Sequence, residues 1–527
     1  MKKFFYIIIS FILFTILFFA LNIYNKNYYY FITYGNYDEN INIIKKRTNM
    51  KGIIKNYKNY DYIKIDKIKS EKTIKYNKLC DIIKKSNYNS FNYSLSLDNN
   101  KITILKEELL INKIINYSYD YINIYNLNNL LMKKGYEQKF NIEDNITIIE
   151  SESLFYNKNN NKFEKENYDL DTISSHSINR LINMEQNNGK FIYGYNIMTG
   201  NEFTSYNILR HSGTIWSMIK YYQINPDKLL KQKIDKALEY LISNIIIKDN
   251  IAYVVENSSL EIKLGGNGLA LIALSEYLNT FNDNKYFEIA QKLANGIISM
   301  QNNDGSFIHV LNLDGSTKEN FRTVFYDGEA TLALLKFYQI SNDNACLTHS
   351  QMAIDYFISN DYTKYRDHWI SYAMREYLKY DTSDKYISFA LDNYTLNINR
   401  FNKNVFSPTN LELLTTVYQA YYDLNNKNIS NKTILNFNID ELNGKINKEL
   451  NILLSFYLTN NLSIYYKDPD KITGGFYNLN DDYRMRIDDI QHSLLGIINY
   501  QEIKANTLNK NWYIFIYLNL SFVFLTF

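Results

Sequence analysis

The pattern of apolar and polar positions divides the chain into stretches of different period. Residues Phe4 to Leu21 are apolar except for Ser10 and Thr15, and they follow Lys2 and Lys3. At about 1.5 Å per residue this run just matches a bilayer core of roughly 30 Å. A cleaved signal peptide would end in a small-x-small site, which Phe18-Phe19-Ala20-Leu21-Asn22 lacks. The expectation is an uncleaved signal anchor over 1–23, with the lysine pair inside and the body on the extracytoplasmic side of the cytoplasmic membrane. Residues 24–84 sustain no period and read as linker or irregular chain. A small α+β domain is expected over 85–168. There, Asn92 to Leu105 alternates around Asp98-Asn99-Asn100 like a hairpin, Leu109 to Lys134 reads as helical, and Thr147 to Phe155 reads as a strand closed by a turn at Asn157 to Asn161.

From residue 172 the period becomes helical, in pairs. Six amphipathic stretches place apolar residues three and four apart: Ile173 to Met184, Leu229 to Ile246, Tyr286 to Met300, Ala345 to Ser359, Tyr386 to Ile398 and Ile439 to Leu458. Each is followed by a helix poorer in charge and richer in small residues, starting near His211, Gly265, Asp327, Asp367, Thr409 and Asp489. Helices apolar on most sides belong in an interior. Six wet helices alternating with six dry ones predict a mainly α fold, an (α/α)6 toroid over 172–503. The apolar stretch 511–527 fits a second span, a membrane-surface segment or a buried terminal helix.

A repeated connector supports the pairing. Gln186-Asn187-Asn188-Gly189-Lys190-Phe191 and Gln301-Asn302-Asn303-Asp304-Gly305-Ser306-Phe307 each follow an outer helix, and Thr473-Gly474-Gly475-Phe476 is a shorter copy. With these motifs and the polar residues at the inner-helix starts, the chain resembles the α/α-toroid superfamily, specifically its six-hairpin glycosidase-like proteins. That resemblance implies sugar chemistry: hydrolases, unsaturated-uronide hydrolases, lyases or epimerases. The connector is also similar to that of squalene cyclases and prenyltransferase β subunits. Against these, Arg486-Ile487-Asp488-Asp489 lacks the first acid of the cyclase motif, and no Asp-x-Cys accompanies His492 for a prenyltransferase zinc site.

Composition changes this picture little. The 50 Tyr, 18 Gly and 3 Pro, with abundant Asn, Ile and Lys, reflect an A+T-rich coding bias. A net charge of +3 reads as spread over the surface without a basic stripe, so nucleic acid is not an expected partner. Cys80 and Cys346 fall in different units and in no metal-binding spacing, and read as buried free thiols.

Candidate chemistry gathers at the six inner-helix starts, which such a toroid opens on one face. Carboxylates there also suit helix capping, whereas Arg and His gain nothing from a helix N-terminus, where the dipole disfavours cations. Glycoside hydrolysis needs two carboxyl groups, for which Glu329 and Asp489 lead, followed by Asp327 and Asp367. A lyase or epimerase would use His211, His368 or His492 as proton carrier. Arg210, Arg322, Arg484 and Arg486 suit an anionic sugar, Lys263 and Asn267 lie at the second inner start, and Trp216 and Trp369 could stack on sugar rings. No cofactor is expected, and no metal, because these His and acids lack a compact ligand spacing in sequence. The expected partners are a carbohydrate and, through the N-terminal helix, a membrane. A non-catalytic toroid that binds glycan or protein in the envelope is the competing expectation, and an isoprenoid cyclase the third.

Overall fold

The computed structural model describes residues 27–36, 41–86, 92–97, 102–115, 122–136, 138–166, 168–319, 323–402, 407–427, 429, 431–478 and 482–524. The expected anchor over 1–23 lies outside them. Among the described residues no helix is long and apolar enough to cross a membrane. The chain forms two compact units. The first runs to Tyr168 and takes in Met198–Gly200 and Leu458–Thr473; the second holds Asp169–Ile197, Asn201–Tyr457 and the residues from Gly474 onward.

The first unit is built on an antiparallel sheet ordered β2-β1-β3-β6-β4-β5, with β7 pairing β6. Its strands are β1 (Tyr28–Gly35), β2 (Asn42–Thr48), β3 (Tyr62–Lys75), β4 (Tyr93–Leu97), β5 (Ile102–Ile104), β6 (Asn145–Asn157) and β7 (Lys162–Glu164). Among the described residues up to Tyr168 four helices accompany them: α1 (Met50–Tyr57), α2 (Tyr76–Lys84), α3 (Lys106–Ile111) and α4 (Ile124–Lys133). The β4–β5 and β6–β7 hairpins fall where the alternation places them. Residues 24–84, expected to be irregular, instead supply β1 to β3 and two helices. Their period was hidden for two reasons. Every residue of β2 is at least partly exposed, and β3 shifts register against β6 between Ile68 and Ser70, which changes the phase of its alternation. Within this unit Lys64 is fully buried, 2.7 Å from Asp66 and 3.0 Å from Glu107.

The second unit is the toroid. Its outer helices are α5 (Leu170–Met184), α7 (Lys228–Ile242), α9 (Phe287–Ser299), α11 (Asn344–Ser359), α13 (Asp384–Thr395) and α15 (Ile439–Leu454); its inner helices are α6 (Ile208–Ile224), α8 (Leu264–Phe281), α10 (Thr323–Ser341), α12 (His368–Tyr377), α14 (Pro408–Asn426) and α16 (Ile487–Phe524). Each inner helix packs on the next, and α16 returns to α6, so the ring closes. Burial separates the two sets: α7 buries Leu230, Ile234, Ala237, Leu238 and Leu241 along one stripe, whereas α8 buries every residue from Leu264 to Leu278. Residues 511–524 continue α16. The excursion Leu458–Thr473, inside the expected toroid, belongs to the first unit.

The repeated connectors share one geometry. An isolated antiparallel bridge closes each, Glu185 with Phe191, Gln301 with Phe307 and Tyr457 with Phe476. Gly189, Gly305 and Gly474 adopt φ of +82°, +93° and +87°. A Cβ at these glycines would lie 2.1 Å from Lys236 O on α7, 2.2 Å from Met352 O on α11 and 2.7 Å from His176 O on α5. The missing side chain thus lets each connector lie on the backbone of the following outer helix. Gly305→Ala should lower stability by about 2–3 kcal/mol in urea unfolding, combining a disfavoured φ with displaced backbone. Gly305→Asn, which tolerates positive φ but still carries a Cβ, should be little better if the close approach dominates.

The inner helices are tied near their C-terminal ends by a belt of polar groups. Gln223 of α6 donates to Glu276 of α8 at 2.7 Å. Lys336 of α10 pairs with Glu276 at 3.5 Å and with Glu376 of α12 at 3.1 Å. Arg375 donates to Gln419 of α14 at 2.8 Å, and Gln419 donates to Glu502 of α16 at 2.8 Å. All six inner helices take part, which fixes the end of the ring remote from their N-termini.

Candidate functional site

A cavity of about 290 Å³ opens among the N-terminal ends of the inner helices. All six contribute: Asn207, Leu209 and Arg210 from α6, Leu269 from α8, Phe325, Tyr326 and Glu329 from α10, His368 and Trp369 from α12, Ser407 to Thr409 at the start of α14, and Arg484, Arg486, Asp488, Asp489, Gln491 and His492 around the start of α16. The strand Arg484–Arg486, paired with Gly194–Asn196, leads the chain into α16 and sets both arginines at the cavity wall.

One wall is electrostatic. Asp488 receives Arg210 Nε at 2.8 Å and Arg486 Nη2 at 2.7 Å. Burial alone would raise its pKa, but these guanidiniums outweigh it and hold the carboxyl below the usual range. Asp489 accepts from Arg484 Nε at 3.2 Å, Arg484 Nη2 at 3.1 Å and the Arg486 amide at 3.0 Å. Burial and the neighbouring Asp488 push Asp489 up against the pull of the arginines. Tyr193 joins this wall, its hydroxyl accepting from Arg210 Nη1. The arginines are therefore engaged with protein carboxylates, and their charge is largely balanced within the wall.

The opposite chemistry sits on α12, α14 and α16. The rings of His368 and His492 are 5.2 Å apart and nearly perpendicular. His492 Nδ1 lies 2.6 Å from Glu412 Oε1, and the other Glu412 oxygen accepts from Tyr372 at 2.9 Å. Tyr372 is held in turn by Asn499 Nδ2 at 2.8 Å. Neither ring nitrogen of His368 has a hydrogen-bond partner among the described residues, although the side chain is only 2% exposed. Its nearest carboxylate oxygen, Asp367 Oδ1, is 3.7 Å from Nδ1. Burial and the neighbouring His492 hold the His368 pKa well below 6.5. For His492 burial acts in the same direction, but Glu412, Asp488 and Asp489 outweigh it and raise the pKa above 6.5. The two environments thus push the imidazoles apart, His368 toward the neutral form and His492 toward the protonated one.

Beneath them Trp369 packs at a tilt 5.5 Å from Trp216, which lies edge-on 5.4 Å from Tyr372. Glu329, 3% exposed, reaches the cavity because Gly265 on α8 leaves room; a Cβ there would stand 2.1 Å from Glu329 Oε2.

The structure therefore brings Glu329, Asp489, His368, His492, Arg210, Trp369, Arg484 and Arg486 to one cavity. Six other sequence candidates do not line it. Asp327 is buried under His309 Nε2 at 2.8 Å and the Tyr362 hydroxyl at 3.0 Å. Asp367 is the N-cap of α12, accepting from the Trp369 amide at 2.8 Å and the Phe325 amide at 3.0 Å, and burial raises its pKa to about 7. His211 turns toward the outer layer, between the Tyr206 hydroxyl at 2.7 Å and Ala237 O at 2.9 Å, and burial lowers its pKa to about 4. Asn267 bridges the Val254 amide and Lys263 O, Lys263 pairs with Glu261 at 3.5 Å, and Trp216 fills the ring interior. For His211, Asn267 and Asp327 helix phase decides: one residue's rotation of about 100° turns a side chain near the helix start from the cavity to its neighbours. Arg322 lies outside the described residues.

The sequence places Glu412 at an inner-helix start without giving it a role, and it singles out neither Tyr372 nor Phe325, whose backbone has φ +80° and ψ −52°. The positions of Tyr372 and Phe325 carry no signal of their own, and only the ring closure sets Glu412 on α14 beside α12 and α16. The same closure gathers His368, Glu412 and His492 so that their potential ligand atoms lie within 4.8 Å of one another, a grouping that spacing along the chain conceals. Zinc with bonds of about 2.1 Å would draw its tetrahedral ligands to roughly 3.4 Å.

No protein-family model matches the chain, and no curated protein matches it. Among solved structures it is similar to cellobiose 2-epimerase from Bacillus thermoamylovorans B4167, at 11% identity over 62% of this chain and 98% of that one, with a TM-score of 0.48. It is also similar to a sugar epimerase from a ruminal bacterium, at 11% identity over 63% and 98% with a TM-score of 0.49. A third is the GH76A α-1,6-mannanase from Salegentibacter sp. HEL1_6, at 12% identity over 63% and 98% with a TM-score of 0.46. At such scores the chemistry has to be read from this chain's own residues.

Proposed function

We propose that this protein is a membrane-anchored, extracytoplasmic carbohydrate-active enzyme that moves a proton at a sugar carbon, as a lyase or epimerase does. The observation that carries this reading is the histidine pair. Two imidazoles share one wall of a polar cavity, one oriented by a buried carboxylate and the other with no hydrogen-bond partner among the described residues. Environments that push two neighbouring titrating groups apart assign the base and the acid. His368 is the base, taking a proton from a carbon made acidic by an adjacent carbonyl or carboxylate, and His492, protonated on its Glu412 support, is the acid. Trp369 and Phe325 offer apolar faces to a sugar ring. The Arg210, Arg484 and Arg486 wall orients the polar end of the substrate, and with three guanidiniums against only Asp488 and Asp489 it keeps one positive charge in excess for an anionic sugar.

The hydrolytic reading keeps Glu329 and Asp489 as the carboxyl pair. It is less favoured because both Asp489 oxygens already accept charged or backbone donors. Incubating the full chain with reducing and uronate-containing oligosaccharides in D2O separates the two. Deuterium entering at a sugar carbon, or an unsaturated uronide product, supports proton transfer; release of saturated fragments without exchange supports hydrolysis. No turnover and only ligand shifts would leave a binding toroid.

Activity should follow a bell in pH. Its acid limb should fall below 6.5, as His368 gains its proton, and its alkaline limb above 6.5, as His492 loses its own. Glu412→Gln should move the alkaline limb toward lower pH and leave the acid limb nearly in place. A profile whose limbs do not respond to that change would remove the assignment.

A further inference from the structure

The charge of the chain is unevenly distributed. Residues 41–86 hold thirteen lysines and Arg47 against Asp61, Asp66, Glu71 and Asp81, a net of +10, so with the whole chain at +3 the remainder sums to −7. A coding bias toward lysine acts on every segment alike and does not produce opposite signs. In the structure twelve of the fourteen cations are exposed, Lys64 being buried and Lys67 half-buried. They cover β2, the outer side of α1 with Lys51, Lys55 and Lys58, and the far half of β3. The expectation of an evenly spread charge is corrected here for the first unit.

On β2, Ile43, Lys45 and Arg47 alternate onto one face, and Tyr29 of β1 stands in register with Arg47. Tyr29 is 53% exposed and Ile43 37%, and the Arg47 guanidinium lies 5.7 Å from the Tyr29 ring. Cations flanking an exposed aromatic and an aliphatic side chain match the composition of a bilayer interface, where rings settle among headgroups and guanidiniums meet phosphate. The module is also close in sequence to the apolar run. From Leu21 to Tyr28, at most about 3.6 Å per residue, the chain can extend roughly 25 Å.

We infer that this basic module rests against an anionic lipid leaflet and so holds the first unit at the membrane surface. The inference rests on the anchor reading given under Proposed function. A surface of phosphate headgroups is chosen over nucleic acid because the exposed Tyr29 and Ile43 need an apolar boundary that a phosphate backbone lacks.

The test uses the full chain in nanodiscs of phosphatidylglycerol or of phosphatidylcholine, with lysine acetylation rates read by mass spectrometry. At about 0.15 M salt, where charges act over about 8 Å, Lys45, Lys46, Lys51 and Lys55 should react several-fold more slowly in the anionic discs. The difference should vanish near 1 M salt, where that distance falls to about 3 Å. Lys285 of the toroid should react equally in both. Replacing Lys45, Lys46 and Arg47 by glutamine should weaken the protection of Lys51 and Lys55. Equal rates in the two lipids, or protection by an oligonucleotide but not by lipid, would overturn the inference. Failure to enter nanodiscs would refute the anchor alone; the module is then decided by co-sedimentation with phosphatidylglycerol vesicles, where binding supports it and no binding overturns it.

Discussion

Replacing His492 by asparagine is expected to lower kcat/KM by about 10²–10⁴-fold, the usual loss when a positioned general acid is removed. His368→Asn should cost a similar factor, and the double variant little more, because both act in one proton relay and their losses are not additive. Thermal midpoints should separate chemistry from architecture. His368 makes no hydrogen bond to lose among the described residues. Removing His492 strips the buried Glu412 oxygen of its partner, so some loss of midpoint accompanies that variant, and His368→Asn is the one that isolates chemistry. If the histidine variants keep full turnover while Glu329→Gln loses it, the proton-transfer assignment fails and the carboxyl pair takes its place. Kinetics with whichever sugar exchanges deuterium in D2O decides between them.

Lys64→Met is expected to be the most destabilising conservative substitution in the first unit, at about 3–5 kcal/mol near neutral pH. Methionine fills the volume but leaves Asp66 and Glu107 buried without their shared cation. Burial alone would lower the Lys64 pKa, yet Asp66 and Glu107 outweigh it and raise the pKa above 10.5, while Lys64 holds Asp66 below 3.8 against its own burial. The signs fix the window. The raised Lys64 contributes stability below 10.5 that is lost as pH climbs through its folded value, and the depressed Asp66 contributes stability above 3.8 that is lost as pH falls through its folded value. The gap between wild type and variant should therefore be widest between those limits and narrow in acid, where Asp66 of the variant takes up a proton. Adding Asp66→Asn and Glu107→Gln to Lys64→Met should recover part of the loss, because it removes the uncompensated charges. Urea unfolding followed by circular dichroism at several pH values measures this; a constant small gap would mean that water reaches the cluster.

The amino-acid sequence by itself determined the helical period after residue 172, the alternation of wet and dry helices, and the connector glycines. These are local properties: amphipathicity follows from 3.6 residues per turn, and a positive φ favours glycine wherever it occurs. It also determined that Arg, His and acids crowd the inner-helix starts. Tertiary structure decided which of them meet. Asp327, Asp367 and His211 share that crowding with Glu329, His368 and His492, yet rotation about each helix sends the first three into packing and capping and the others into the cavity. The Glu412–His492 pair spans α14 and α16, 80 residues apart, and exists only because the ring closes. The sheet formed from residues 28–75 was equally hidden, because a strand exposed along its length or interrupted by a bulge has no period of its own and is defined by the partner that hydrogen-bonds to it.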